Sequence, residues 1–154
     1  MADQPQERVM LVKEIMTPRV VLVDPQTSVK DVALKMQDMD IGCVPVGESG
    51  RLVGMITDRD IACRCAAHDR DPETTKVGEV MSRRLAWCHD DQEVGEAARL
   101  MGERHVRRLP VLDREERLVG ILSLDDLVLK APSEFSAEVL EAVSKSHWRG
   151  LSAR

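Results

Sequence analysis

Two pairs of side chains combine a hydroxyl with a carboxylate three residues further along the chain: Thr57 with Asp60, and Ser123 with Asp126. Each hydroxyl lies where an apolar strand pattern gives way to a helical one. Free backbone N–H groups and the positive end of a helix dipole are expected there, which suits a phosphate. A carboxylate one turn later can accept hydrogen bonds from both vicinal hydroxyls of a ribose. The spacing is therefore compatible with a nucleotide site.

The same spacing has a second interpretation, because a Thr or Ser at the N-cap followed by an acid three residues on is a capping box. Such boxes begin many helices, so both interpretations stay open. The two copies also differ in charge, since Arg59 adds a cation to the first motif and Asp125 adds a second carboxylate to the other. A carboxylate repels a phosphate, so the first motif is the more convincing anion site.

A further basic feature is Arg107 with Arg108, just before an apolar strand pattern. The planar fork of a guanidinium suits phosphate oxygens. The alternative is that both arginines form solvated salt bridges with nearby glutamates, Glu103, Glu115 or Glu116. The first half of the chain has no basic residue at the matching positions, so this feature is one-sided.

These motifs lie in a sequence that is duplicated. VKEIMT at residues 12–17 recurs as VGEVMS at residues 77–82, and RLVG at residues 51–54 recurs at residues 117–120. The apolar residues between these motifs recur at the same offset, until the second copy gains one loop residue. A repeat of this kind indicates that one supersecondary unit occurs twice.

Each copy predicts the order helix, strand, helix, strand, strand, helix. Ser28 is the expected N-cap of the first amphipathic helix, with Asp31 three residues on. The strands are expected at residues 20–23, 43–46 and 52–56, and again at 85–88, 108–112 and 118–122. The last helix of each copy is expected at residues 58–67 and 124–130. Because proline lacks an N–H, Pro45 and Pro110 must lie at an edge, a bulge or a cleft.

The expected domain boundaries follow from the repeat: residues 9–67, a linker at 68–76, residues 77–131, and a C-terminal helix and tail at 132–154. Pro72 and several charges mark the linker. Ser133 is the expected cap of the C-terminal helix, whose partial apolar stripe consists of Phe135, Val139, Leu140 and Val143.

Composition excludes several classes of function. The net charge of −5 and an aromatic content of 2% argue against nucleic-acid binding and against anionic membranes. No apolar run is long enough to span a bilayer and the first eight residues lack an apolar signal segment, so a cytoplasmic protein is expected. The four cysteines lack Cys-x-x-Cys spacing, so no metal site is expected. The four histidines form no recognisable catalytic constellation, so an enzyme is not expected.

The repeated order of elements, together with Met16-Thr-Pro18, Pro45 and GMITDRD at residues 54–60, resembles the cystathionine-β-synthase-type (CBS) domain family. The resemblance covers residues 9–131 and extends to stand-alone bacterial CBS pairs, including the mycobacterial hypoxic-response type. It implies an α/β (α+β) fold of two CBS domains, each a small three-stranded sheet with helices on one side. The two domains would pair with pseudo-twofold symmetry and leave clefts between them.

The resemblance also implies a function. In many members the clefts hold AMP, ATP or S-adenosylmethionine, and pairs associate into homodimers. Thr57, Asp60, Ser123 and Asp126 match the positions that contact phosphate and ribose, and Arg107 and Arg108 match basic residues used on phosphates in some members. An aliphatic sandwich for adenine matches Val20, Val21, Val44 and Pro45, with Leu85, Ala86, Leu109 and Pro110 in the other half, although each could equally be plain core.

The expected function is therefore a regulatory module that binds an adenosine-containing ligand, changes its domain or dimer geometry, and signals to an unknown effector protein. No cofactor is required. The alternative is a ligand-free interaction or scaffold dimer with vestigial clefts.

Overall fold

A computed structural model describes residues 9–133, 137, 140, 141, 144 and 145. In chain order the elements are α1 (Val12–Ile15), β1 (Thr17–Pro18), α2 (Val29–Met39), β2 (Cys43–Glu48), β3 (Arg51–Thr57), α3 (Asp58–Asp60), α4 (Val77–Val80), β4 (Cys88–His89), α5 (Val94–Arg104), β5 (Arg108–Leu112), β6 (Leu118–Ser123) and α6 (Leu124–Lys130). A π-helix (Ile61–Cys65) and a 3₁₀ turn (Ala66–His68) continue α3. The mixed α/β fold predicted from the sequence is confirmed.

The chain forms two compact units whose boundaries cross the sequence repeats. Among the described residues, the C unit contains residues 9–18, 86–114 and those from 119 onward, and the N unit contains Arg19–Leu85 and Glu115–Leu118. Each unit therefore takes its short opening helix from the other repeat: α1 belongs to the C unit and α4 to the N unit.

The C unit contains a four-stranded sheet in the order β1-β6-β5-β4. The short strand β1 runs antiparallel to β6, with Thr17 opposite Ile121, and β4 runs parallel to β5, with Cys88 opposite Val111. The two central strands, β5 and β6, were expected from the sequence, whereas β1, a dipeptide that ends in proline, was not.

The N unit has the same strand order with shorter edges. The antiparallel pair β2-β3 is flanked by two isolated bridges, Met55 with Ser82 and Val23 with Val46. The N–H of Met55 donates to the carbonyl of Ser82, and the carbonyl of Met55 accepts the N–H of Ser82. Because both main-chain groups of Met55 point away from β2, Met55 and the facing Pro45 form a non-hydrogen-bonded pair. The missing N–H of Pro45 therefore lies on the Val23 side, where only one bridge forms, and a bulge follows at the next residue.

The predicted strands at residues 20–23 and 85–88 are largely absent: only Val23 forms a bridge in the first, and only Cys88 begins a strand in the second. The predicted helix at residues 58–67 also departs from a regular α-helix. The N–H of Ala66 is shared between the carbonyls of Ala62 and Ile61, which widens the turn.

Loops of each unit satisfy the first backbone donors of the short helices. In the C unit the N–H groups of Val12 and Lys13 donate to the carbonyls of Gln92 and Asp90 at 2.9 Å each. In the N unit Val77 and Gly78 donate to the carbonyls of Thr27 and Pro25, again at 2.9 Å. Because helices this short leave most donors unpaired, these bonds fix α1 and α4 within their units.

Each unit has its own apolar core, built on helix faces against the sheet. The C-unit core contains Val12, Ile15, Cys88, Val94, Ala97, Ala98, Met101, Leu109, Val111, Leu122, Leu124 and Leu127. The N-unit core contains Val23, Val29, Val32, Met36, Val44, Val46, Ile56, Cys65, Val77, Val80 and Met81. The predicted helical spacing of Val29, Val32 and Met36 is confirmed, and Ser28 accepts the N–H of Asp31 at 3.0 Å as the expected cap.

Burial in the C-unit core raises the pKa of the Cys88 thiol from 9.0 to about 12. The unfolded chain releases this proton above about pH 9 whereas the folded chain does not. The contribution of the neutral thiol to the free energy of unfolding is therefore fully present below pH 9 and is lost as the pH rises toward 12. The unfolding constant is expected to increase by up to roughly tenfold per pH unit in that window.

Urea unfolding at about pH 8, 9 and 10 measures this pH dependence. In Cys88→Ala the thiol is gone, so a shallower decline with pH is expected although the variant starts from lower stability. Equal slopes in the two proteins would contradict a buried, neutral thiol.

Two predictions concern the ends of the chain: the apolar stripe of a C-terminal helix, and a polar first segment. Leu140 of the predicted C-terminal stripe is exposed, whereas Phe135, Val139 and Val143, like the first eight residues, lie outside the described residues. Among the residues that the structure describes, no helix is long and apolar enough to cross a membrane.

Candidate ligand-binding site

The first candidate motif forms a compact polar cluster in the N unit, here called the Asp60 cluster: Thr57, Asp60, Arg64 and Ser82. Thr57 ends β3 and is the N-cap of α3, where its hydroxyl accepts the N–H of Asp60 at 3.0 Å. One carboxylate oxygen of Asp60, Oδ2, accepts the N–H of Thr57 at 2.9 Å and its hydroxyl at 3.0 Å. The capping box expected as one interpretation is therefore present.

Among the described residues, the other oxygen of Asp60, Oδ1, has two polar contacts, and both are long. The Ser82 hydroxyl lies 3.4 Å away and Nη1 of Arg64 lies 3.5 Å away. The Arg64 Nη1 donates instead to the carbonyls of Val80 and Met81, at 3.0 Å each. Asp60 is 8% exposed, so Oδ1 is a nearly buried acceptor with weak internal partners.

The second motif repeats the arrangement in the C unit as the Asp126 cluster: Ser123, Asp126, Lys130 and the carbonyl of Ile15. Asp126 Oδ2 accepts the N–H of Ser123 at 2.9 Å and its hydroxyl at 2.7 Å. Its Oδ1 accepts the Lys130 ammonium at 2.8 Å, and the same ammonium donates to the Ile15 carbonyl at 3.0 Å. Asp126 is 6% exposed.

Arg64 and Lys130 were not singled out from the sequence. Each follows its aspartate by four residues, the spacing of a helical ion pair. That spacing was visible, but it usually marks an exposed pair of little energetic weight. The structure differs because the aspartate of each pair is buried.

The remaining charged candidates lie on the surface. Arg59 and Asp125 are exposed in the first turns of α3 and α6. Asp58 is also exposed beside Arg59, so both helix starts carry an acid. The Asp58 carboxylate lies close to Gly42, since its Oδ2 would be 3.1 Å from a Cβ built there. The charge contrast between the two motifs is therefore smaller than Arg59 and Asp125 alone suggest.

Arg107 and Arg108 are exposed at the start of β5, and the carbonyl of Arg107 accepts the N–H of Leu124 at the start of α6. The backbone thus places this basic pair next to the Asp126 cluster. Within residues 9–133 neither guanidinium forms an ion pair, and two of the three glutamates expected as partners bond elsewhere, Glu115 to Arg117 and Glu116 to Arg51.

The apolar candidates divide by burial. Val44 and Leu109 are fully buried core residues, so their side chains pack inside the units. Pro45 and Pro110 are buried beside them in β2 and β5. The half-buried candidates, whose side chains are partly accessible, are Val20, Val21, Leu85 and Ala86.

These observations define a class of protein: a duplicated α/β unit in which each copy ends its last strand on a hydroxyl and has a buried aspartate in the first turn of the following helix. The CBS domain family model matches residues 12–66 and 77–132. The chain belongs to the CBS domain family, as the sequence resemblance predicted.

The chain is similar to particular members along most of its length. It is 41% identical over 126 residues to the CBS domain-containing protein YhcV of Bacillus subtilis, covering 82% of this chain and 89% of that protein. It is 33% identical over 132 residues to hypoxic response protein 1 of Mycobacterium tuberculosis, covering 85% and 92%. The resemblance to the hypoxic-response type is therefore confirmed.

Two similar solved structures carry adenosyl ligands. CBSX2 in complex with AMP has a TM-score of 0.67 and 30% identity, covering 77% of this chain and 93% of that one. The CBS domain pair of MJ0100 in complex with 5′-methylthioadenosine and S-adenosylmethionine has a TM-score of 0.69 and 28% identity, covering 77% and 96%. The structure of hypoxic response protein 1 holds two coordinated zinc ions, with a TM-score of 0.72. In the part of this chain that the structure describes, no three His, Cys, Asp or Glu side chains are grouped to hold a metal ion.

Proposed function

We propose that this chain is a cytoplasmic regulatory module that binds an adenosine-containing ligand, either AMP, ADP, ATP or S-adenosylmethionine, in clefts between its two CBS domains. The observation that carries the proposal is the Asp60 cluster. It presents a nearly buried carboxylate oxygen whose internal contacts are 3.4 and 3.5 Å long. A ribose diol supplies two hydroxyl donors, which such an oxygen can accept.

The other parts of the ligand have candidate contacts as well. Arg59, Arg107 and Arg108 supply exposed cations for phosphate oxygens. The half-buried side chains Val20, Val21, Leu85 and Ala86 supply an aliphatic surface for the adenine, together with the backbone of the strands that contain Val44, Pro45, Leu109 and Pro110. Two similar structures bind AMP, or 5′-methylthioadenosine with S-adenosylmethionine, which supports an adenosine-containing ligand.

Binding regulates by favouring one geometry of the domains or of a homodimer, because a ligand shifts an equilibrium only through its different affinities for the two states. The change of geometry is then transmitted to an effector protein. Catalysis forms no part of this proposal.

Isothermal titration of the protein with AMP, ADP, ATP and S-adenosylmethionine tests the proposal. At least one of them is expected to bind, and at a concentration about 100-fold above its Kd to stabilise the fold by about 2.7 kcal/mol in a thermal unfolding experiment. AMP that lacks both ribose hydroxyls is the matched control and should bind more weakly. The absence of both heat and thermal shift for all four ligands would reject the proposal.

A scaffold dimer with vestigial clefts is the second candidate, and one observation favours it. Asp126 already has both oxygens bonded at 2.7–2.9 Å inside the protein, so this cluster needs no ligand for its stability. A protein that dimerises in sedimentation experiments and binds none of the four ligands would match this candidate.

A further inference from the structure

The two aspartate clusters share a design but differ in how the outer carboxylate oxygen, Oδ1, is used. In both, Oδ2 accepts two hydrogen bonds from the N-cap residue. In the Asp126 cluster Oδ1 forms a close ion pair with Lys130 at 2.8 Å, the ordinary length of a charge-assisted bond. In the Asp60 cluster the corresponding distance to Arg64 is 3.5 Å.

The reason for the difference is the side chain in the fourth position after each aspartate. Arg64 directs Nη1 to two main-chain carbonyls, of Val80 and Met81. Lys130 has one carbonyl partner, Ile15, and places its compact ammonium on the carboxylate as well. The guanidinium of arginine is a planar, rigid group of donors, whereas the ammonium of lysine is a compact charge on a flexible stem, so the two side chains donate to different acceptors.

Counting acceptors shows what this means for a ribose. A carboxylate offers about four lone-pair positions. The capping box occupies two on each aspartate. On Asp126 the ammonium of Lys130 occupies a third, which leaves one position for a diol that needs two. On Asp60 the two positions of Oδ1 have, among the described residues, the long contacts to Ser82 and Arg64 alone.

We propose that Lys130 competes with the ligand for the carboxylate of Asp126. This proposal rests on the adenosyl site proposed above. The ligand therefore enters at Asp60 first, and it enters at Asp126 only when the ion pair opens. The side chain of Lys130 is 46% exposed whereas that of Asp126 is 8% exposed, so the lysine can turn to solvent while the carboxylate stays in place. The two sites are unequal although their sequence motifs match.

The test uses AMP and S-adenosylmethionine as probes in calorimetric titrations. Wild type is expected to bind the better probe at one strong site that depends on Asp60. In an Asp60→Ala background, which leaves only the Asp126 site, adding Lys130→Met is expected to raise the affinity about 10- to 100-fold, the factor associated with one charge-assisted hydrogen bond. Lys145→Met, which removes an exposed ion pair of the same spacing with Glu141, is the matched control and should leave the affinity unchanged.

A second variant guards against a loss of folding when Asp126 loses its counter-ion. Arg64→Lys places an ammonium four residues after Asp60 and is expected to weaken binding at that site by about tenfold. If wild type binds a probe but Lys130→Met gives no gain and Arg64→Lys no loss, Lys130 is not a competitor and the proposed function still stands. If neither probe binds to wild type or to any variant, the proposed function fails and this inference fails with it.

Discussion

Replacing Asp60 with alanine is expected to weaken the binding of AMP or S-adenosylmethionine by at least about 100-fold, because two charge-assisted hydrogen bonds to the ribose would be lost. Asp60 is 8% exposed and its Oδ2 is held by the capping box, so the protein itself fixes the position of the carboxylate. Isothermal titration of the variant against wild type measures the effect.

Two controls separate binding from folding. Asp60→Ala also removes a capping box, which costs about 1 kcal/mol, so the variant must be shown to be folded by its thermal transition. Asp58→Ala removes an exposed acid in the same turn and should bind at least as well as wild type. Unchanged affinity in Asp60→Ala would remove the carboxylate from the ligand site.

The largest loss of stability is expected from Gly54→Ala and its counterpart Gly120→Ala. A Cβ at Gly54 would lie 2.6 Å from Met81 Sδ and 2.9 Å from the carbonyl oxygen of Ser82, and a Cβ at Gly120 would lie 2.7 Å from Met16 Sδ and 2.8 Å from the carbonyl oxygen of Thr17. The methionine side chains can move, but the carbonyls belong to the neighbouring edge segments. Overpacking of this kind costs about 1–3 kcal/mol.

Urea unfolding of both variants measures the cost, and Gly42→Ala is the matched control. A Cβ at Gly42 would meet only the end of the Asp58 side chain, at 3.1 Å, which can rotate into solvent. A smaller loss is therefore expected for Gly42→Ala than for Gly54→Ala. Equal stability of all three variants would show that the edge segments are not held as closely as their geometry indicates.

Much of this fold could be predicted from the sequence because its local signals agree with one another. The apolar spacing of α2 and the N-cap at Ser28 are set by residues within two turns of each other, and the duplication is visible as repeated letters. The repeated RLVG motif was also visible. Its glycine could not be explained, however, because the reason lies in segments more than twenty residues away, at Ser82 and Thr17.

The candidate site was predictable only in part. The capping boxes at Thr57 and Ser123 follow from a three-residue spacing and are confirmed. Contact of these residues with a ligand stays a prediction. Arg64 and Lys130 were missed because an i, i+4 pair gives no indication of burial, and burial decides whether such a pair has energetic weight.

The exchange of α1 and α4 between repeats bears on how such a chain could arise. The core of the C unit includes Val12 and Ile15 from the first repeat, and the core of the N unit includes Val77 and Val80 from the second. A single repeat folded in this way would lack the short helix that the other repeat supplies, and the part of its core that this helix covers would be exposed. Two identical half-length chains could complete one another by trading those helices, as swapped dimers do. In a single chain that carries both copies, the two can differ in sequence, as Arg64 and Lys130 do at matching positions.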